Sequence, residues 1–379
     1  MVRKTAEGSE AVAEAVRNCE PDVVACYPIT PSTHIAEKLA LYYANGELKS
    51  YITTEAEFTS ISAIIGASAA GSRAFTATSS QGLALMHEAV YCAAGMRLPL
   101  VMVVGNRALS APLNIWNDQQ DSIAERDAGW LQIYCESNQE AVDSTIQAFK
   151  IAESVLLPTM VCFDGFFLTH AVEPIDVPTM EEVRRFLPKY QPKVKLDPEN
   201  PISMGEYAFP SHYQMFREDV HKDLLASAAK VREVHDEFAR MFGRSYGNGL
   251  LEKYLLDDAE YVFLSFGSVC GNAKDAVDTL RAKGEKVGVL RVRLYRPFPY
   301  AEVAKALEGK KAVAVFEKSY SLGAKPPLYT DVVAALAEAE RRPVISSFVG
   351  GLGGKDVRVE DVAAMLQKLK TGKRLEEWV

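Results

Sequence analysis

The chain has no apolar run long enough to cross a bilayer: its longest stretches, such as Leu98 to Gly105, fall far short of the about 20 residues a helical span requires. The N-terminus, Met1 to Gly8, has no apolar segment that could act as a secretion signal, so a cytoplasmic address is expected. A Lys/Arg stripe interleaved with aromatics is also missing. With a formal net charge of −8, this argues against nucleic acid as a partner. Six cysteines occur and no C-x-x-C pair is among them. They read as buried small hydrophobes in a reducing compartment. Iron–sulfur clusters need closely spaced thiolates, so any cluster serving this protein is expected on another chain. The sequence contains neither the G-K-[ST] of a P-loop nor a full G-x-G-x-x-G, and Gly267-Ser268-Val269-Cys270-Gly271 reads as a plain strand-to-helix turn.

What is present is a regular alternation of strand and helix patterns. Strands are expected near 22–27, 51–54, 73–78, 98–104, 130–135 and 157–163. Helices are expected at 9–18, 34–45, from about 57, at 82–94 and at 138–154. This alternation predicts an α/β fold with a parallel sheet covered on both faces. From Val172 to about Asp258 the pattern degrades under repeated prolines. Only one long helical segment, roughly 215–242, stands out, and the region reads as an irregular, helical excursion across a surface or onto a partner. A second α/β unit follows, with strands at 260–266, 286–293, 312–317 and 343–348 and helices between them. The expected division is residues 1–255 and 256–379.

The stretch from Tyr51 to Gly71 organises the first unit. Thr54 and Glu57 have the spacing of a capping box. Ala63, Gly66, Ala67 and Ala70 leave one face of the following helix almost bare, so another element could approach it closely. Tyr27-Pro28-Ile29-Thr30-Pro31-Ser32-Thr33, Phe75 to Gly82 and Gly105 to Pro112 each follow an apolar strand pattern. They would lie in loops at strand carboxyl ends, where open α/β sheets bind ligands. Thr30, before Pro31, reads as an N-cap candidate for the next helix. Arg107 offers a planar fork suited to a carboxylate, or else a salt bridge to Asp118 or Asp121.

With these motifs in this order, the chain resembles over nearly its whole length the α subunits of the 2-oxoacid:ferredoxin oxidoreductases, most closely those acting on pyruvate. The resemblance implies a thiamine-diphosphate-binding domain of the pyrimidine type, followed by a transketolase-C-terminal-like domain. It implies that Glu57 is the catalytic carboxyl that bonds a nitrogen of the aminopyrimidine. Pro28 and Ile29 would line the cofactor, and Thr30 and Arg107 would contact the substrate. Thiamine enzymes hold the diphosphate through a metal with Gly-Asp-Gly and a later asparagine. The only nearby candidate here, Asp164-Gly165, follows Phe163 and lacks that asparagine. No metal ligand is therefore assigned to this chain. The resemblance places the diphosphate, Mg²⁺ and a proximal [4Fe-4S] cluster on a β subunit. Ferredoxin-type clusters and coenzyme A contacts fall on γ and δ subunits or fusions of them, and ferredoxin is the acceptor. Competing readings are the same chemistry on 2-oxoisovalerate, 2-oxoglutarate or an aryl-glyoxylate with another acceptor, a self-sufficient transketolase-like enzyme, and a non-catalytic scaffold or nucleotide-binding protein.

Overall fold

Runs of β-branched and aliphatic residues closed by turn residues become strands, and the amphipathic runs between them become helices. The computed structural model describes residues 1–379. The first half runs β1 (Val2–Glu7), α1 (Gly8–Asn18), β2 (Val23–Cys26), α2 (Thr33–Ala44), β3 (Tyr51–Thr53), α3 (Glu57–Ala69), β4 (Ala74–Thr78), α4 (Ser80–Leu85), α5 (His87–Gly95), β5 (Val101–Asn106), α6 (Gln120–Ala124), β6 (Leu131–Tyr134), α7 (Asn138–Val155) and β7 (Thr159–Asp164). There follow β8 (Val172–Val177), α8 (Met180–Phe186) and α9 (Pro210–Phe242). The rest runs β9 (Leu251–Tyr254), β10 (Tyr261–Ser265), α10 (Val269–Arg281), β11 (Val287–Val292), β12 (Leu294–Arg296), α11 (Tyr300–Leu307), β13 (Ala312–Glu317), α12 (Pro327–Ala335), β14 (Val344–Val349), α13 (Val359–Leu369) and β15 (Glu376–Trp378).

Two sheets result. One is ordered β12-β6-β7-β5-β4-β2-β3 and the other β15-β14-β13-β10-β11-β9. Every pairing in the first is parallel except β12 on β6, and every pairing in the second except β9 on β11. The central strands β4, β5, β7 and β13 are buried along their whole length, as parallel strands covered on both faces must be. A continuous apolar core joins the first sheet to one face of the second, and a smaller core under α10 and α13 fills the other face.

Charged groups also stitch the two sheets together. Glu140, buried on α7, accepts from Arg291 and Arg293 at 2.7–3.3 Å. Asp164, at the end of β7, accepts from Lys318 Nζ at 3.0 Å, from Gln119 Nε2 at 2.9 Å and from the Ser268 amide at 3.2 Å, and the Ser268 hydroxyl also donates to it. The Gly267–Gly271 turn is thus committed to binding a carboxylate of its own chain.

The excursion carries more order than its composition predicts. β8 pairs antiparallel with β1, and α8 opens with a true capping box made by Thr179 and Glu182. The long helix α9 begins at Pro210 and ends at Gly243, whose φ of +72° suits glycine. It buries Val231, Val234, Phe238 and Phe242 against its own chain, with Phe238 meeting Phe186 edge-on. The single helix expected at 82–94 is two, α4 and α5, meeting at Met86. The small-residue face of α3 is split: Ala63 and Ala67 pack against the core, whereas Gly66 and Ala70 are exposed and a Cβ at Gly66 would meet no atom within 4 Å.

Candidate active site

The loops after β2, β3, β4 and β5 all open at the carboxyl edge of the first sheet, and four of the five residues singled out in the sequence lie in them, with Glu57 just beyond at the first position of α3. The capping-box reading of Glu57 fails on geometry. The N-cap position is Ala56, without a side-chain cap, and Thr54 instead faces Ser60 Oγ at 2.6 Å. Glu57 is only 7% exposed, and no hydrogen bond within the chain reaches its carboxyl. Gly82 lies opposite: a Cβ there would stand 2.6 Å from Glu57 Oε1 and 2.6 Å from Thr78 Oγ1. Thr78 Oγ1 is itself buried without a partner. A buried acid and an unpartnered hydroxyl are thus packed against a glycine whose missing Cβ makes room for both.

Arg107, 7% exposed, forms no ion pair, so the salt bridge to Asp118 or Asp121 is not made. Its backbone amide donates to Asp121 Oδ2 at 3.0 Å, its Nε to Asn114 O at 3.1 Å and its Nη1 to Thr30 O at 3.0 Å. Burial lowers its pKa. One hydrogen on Nη1 and both on Nη2 remain unused, so the Nη1/Nη2 edge can take a two-point anion. Arg107 and Thr30 are therefore brought together, through the Thr30 carbonyl. The Thr30 hydroxyl has no partner in the chain, and Thr30 does not cap α2, whose N-cap position is Ser32. Pro28 is exposed and Ile29 half-buried, and the Ile29 carbonyl accepts from Ser32 N at 2.8 Å. No hydrogen bond joins either of them to Glu57.

Asp121, which the sequence suggested only as a salt-bridge partner for Arg107, instead ties these loops together through backbone amides. Its fully buried carboxylate accepts from the amides of Ser80, Arg107 and Ser122 and from Asn106 Nδ2, at 2.7–3.0 Å. Burial pushes the carboxyl up to about 7, against the pull of these donors. Ser80 has φ of +50°, a conformation that costs a non-glycine residue about 1–2 kcal/mol. The bond to Asp121, and that from its hydroxyl to Ala108 O, hold it there. Asp118 accepts from Gln120 N at 3.0 Å and Gly353 N at 3.3 Å, and burial raises it to about 6.

With this geometry in hand, comparison with known proteins is decisive. Residues 14–236 match the family model "Pyruvate flavodoxin/ferredoxin oxidoreductase, thiamine diP-bdg", and residues 259–362 match "Pyruvate:ferredoxin oxidoreductase core domain II". The chain belongs to the pyruvate:ferredoxin oxidoreductase family. Among curated relatives, pyruvate synthase subunit PorA of Methanothermobacter thermautotrophicus is 48% identical over 100% of this chain and 98% of its own length. Ketoisovalerate oxidoreductase subunit VorA of Pyrococcus abyssi is 44% identical over 97% of this chain and 94% of its own. The structure of a 2-oxoglutarate:ferredoxin oxidoreductase from Magnetococcus marinus superposes with a TM-score of 0.73 at 19% identity, covering 98% of this chain and 65% of that one. A split-gene transketolase superposes with a TM-score of 0.57 at 13% identity. These last two show a shared fold. No helix is long and apolar enough to cross a membrane.

Proposed function

We propose that this chain is the α subunit of a multi-subunit pyruvate:ferredoxin oxidoreductase, which converts pyruvate and coenzyme A to acyl-CoA and CO₂ and passes the electrons to iron–sulfur clusters on partner subunits. The observation that carries this reading is that a buried, unbonded Glu57 carboxyl and a buried Arg107 guanidinium without a counter-ion stand at the same carboxyl edge of the sheet in a thiamine-diphosphate-family domain. The residues present fit the pyrimidine half of the cofactor: the Glu57 carboxyl and the Thr78 hydroxyl are buried side by side, without partners in the chain, against the Cβ-less Gly82. They do not fit the diphosphate, since Asp164 already serves Lys318, Gln119 and Ser268. The diphosphate and Mg²⁺ then fall to a β subunit, as do the nearest cluster thiolates, five of the six cysteines here being buried. Coenzyme A contacts and the remaining clusters fall to γ and δ subunits. The two matches leave residues 237–258 unclaimed, which supports the division into 1–255 and 256–379.

When bound, thiamine diphosphate supplies the carbanion equivalent and electron sink that decarboxylation requires. Glu57 would hold a proton at the ring nitrogen. Pro28 and Ile29 would form the apolar edge beside the ring. Arg107 would clamp the substrate carboxylate along its Nη1/Nη2 edge, and the Thr30 hydroxyl would donate to a substrate oxygen. The likeness to a ketoisovalerate oxidoreductase subunit, nearly as high as to pyruvate synthase subunits, favours a branched 2-oxoacid as the second reading. Purifying the complex natively and measuring its thiamine diphosphate content and acyl-CoA formation from pyruvate and from 2-oxoisovalerate tests both. A complex that holds the cofactor and prefers pyruvate supports the first reading. One that turns over neither acid refutes the proposal.

A further inference from the structure

We propose that Glu7, His34 and His170 form a binding site for a divalent first-row transition metal, of the Zn²⁺ class, that fastens the N-terminal strand to the start of α2 and the loop after β7. The three donors come from distant points of the chain: the last residue of β1, the first turn of α2 and the turn that follows β7. One ligand atom from each lies within 4.8 Å of the others. Glu7 Oε1 is 2.6 Å from His34 Nδ1, and the two imidazole centroids are 4.9 Å apart. Zinc–nitrogen and zinc–oxygen bonds of about 2.0–2.2 Å put donors roughly 3.3–3.5 Å apart, so small side-chain rotations close the set. All three side chains are half-buried, which leaves a path for an ion.

The surroundings are those of a metal ligand. His170 Nδ1 lies 2.7 Å from Thr169 Oγ1, which in turn accepts the Phe166 amide at 2.7 Å. With Nδ1–H donating to Thr169, the Nε2 lone pair is free for a metal, the outer partner that ligating histidines ordinarily have. Phe166 stacks on the same ring at 4.6 Å and 29° and limits its rotation. Glu10 and Glu37 add negative potential near His34, and Lys38 is drawn to Glu10 at 3.4 Å. Two imidazoles and one carboxylate select zinc-like ions over Mg²⁺ or Ca²⁺, which take oxygen ligands. The position is not remote from the candidate active site. Pro31 Cγ and Thr169 Cγ2 both approach Gly105, each 3.4 Å from where its Cβ would be, so a metal here would brace the segment that carries Thr30.

The test uses the full chain, stripped with chelator and titrated with Zn²⁺ against a chromophoric indicator and with Co²⁺ by its visible absorption. The expected result is one Zn²⁺ per chain, a Co²⁺ spectrum of nitrogen–oxygen type, and a melting temperature that rises with Zn²⁺. His170→Ala should abolish the stoichiometric site. Thr169→Val, which keeps all three ligands, should weaken it by about 10- to 100-fold, and far-UV circular dichroism checks that both variants fold. Binding that is absent, that persists unchanged in both variants, or that disappears with the exposed thiol in Cys92→Ser overturns the proposal and leaves an ion pair beside a stacked histidine.

Discussion

Replacing Arg107 by lysine separates a substrate clamp from a structural cation. The guanidinium spends two of its five N–H groups inside the chain, on Thr30 O and Asn114 O, and the remaining edge is free for a carboxylate. Lysine keeps the charge, but its single nitrogen cannot hold both carbonyls and also offer a two-point contact. At least one charge-assisted hydrogen bond to the substrate is lost, about 1.5–3 kcal/mol, or roughly 10- to 150-fold in kcat/KM for the oxoacid. The assay is 2-oxoacid-dependent reduction of an artificial acceptor by the assembled complex, with pyruvate and coenzyme A varied in turn. The loss should appear in kcat/KM for pyruvate, with the KM for coenzyme A unchanged. Thr30→Val should show the same selectivity with a smaller loss, about 0.5–1.5 kcal/mol, since one neutral hydrogen bond goes. If Arg107→Lys leaves pyruvate kinetics intact and only lowers the melting temperature, the side chain is a loop brace and the substrate carboxylate is bound elsewhere.

Gly82→Ala puts a methyl 2.6 Å from Glu57 Oε1. The carboxyl must swing away, and a displacement of about 1 Å can cost roughly 10²-fold in turnover, with little change in melting temperature. Wild-type activity in that variant would mean that the position of Glu57 is unimportant. Lys318→Met strands the buried Asp164 charge and should destabilise the chain by about 3–5 kcal/mol in denaturant titration, whereas a loss below about 1 kcal/mol would show that Gln119 and Ser268 suffice. Asp121 is held up to about 7, against about 3.9 in an unfolded chain. Between these values the folded chain keeps a proton that the unfolded chain has released, so its contribution is greatest near pH 4 and falls as pH rises to about 7. Asp121→Asn should lack this slope. An unfolding free energy whose pH dependence in that range matches wild type would place the titration elsewhere.

The parallel strands could be read from the chain because burial on both faces writes them as unbroken aliphatic runs, as in Val101 to Val104 and Ala312 to Phe316. β1, β8, β9, β12 and β15 escaped because edge strands carry charge and proline: β1 contains Arg3 and Lys4, and β8 contains Pro174. The placing of Glu57, Thr30 and Arg107 at strand carboxyl ends was legible because each stands beside a strand end in a distinctive local run. The roles of Asp121 and Gly82 were not. The role of Asp121 comes from amides on two other loops, and that of Gly82 from a side chain on another helix. Spacing also misled at Thr54, where the helix starts two residues later than a capping box needs and the hydroxyl turns to Ser60.

The most direct test of the account is Glu57→Gln in the assembled complex, measured as turnover at saturating pyruvate and coenzyme A together with the unfolding free energy of this chain. Glutamine keeps the shape of the side chain and its hydrogen bonding but cannot share a proton. The account predicts a loss of roughly 10²-fold or more in kcat with stability nearly unchanged, because the carboxyl bonds nothing inside the chain. Retained turnover with a clear loss of stability would contradict it and return Glu57 to a structural role at the start of α3.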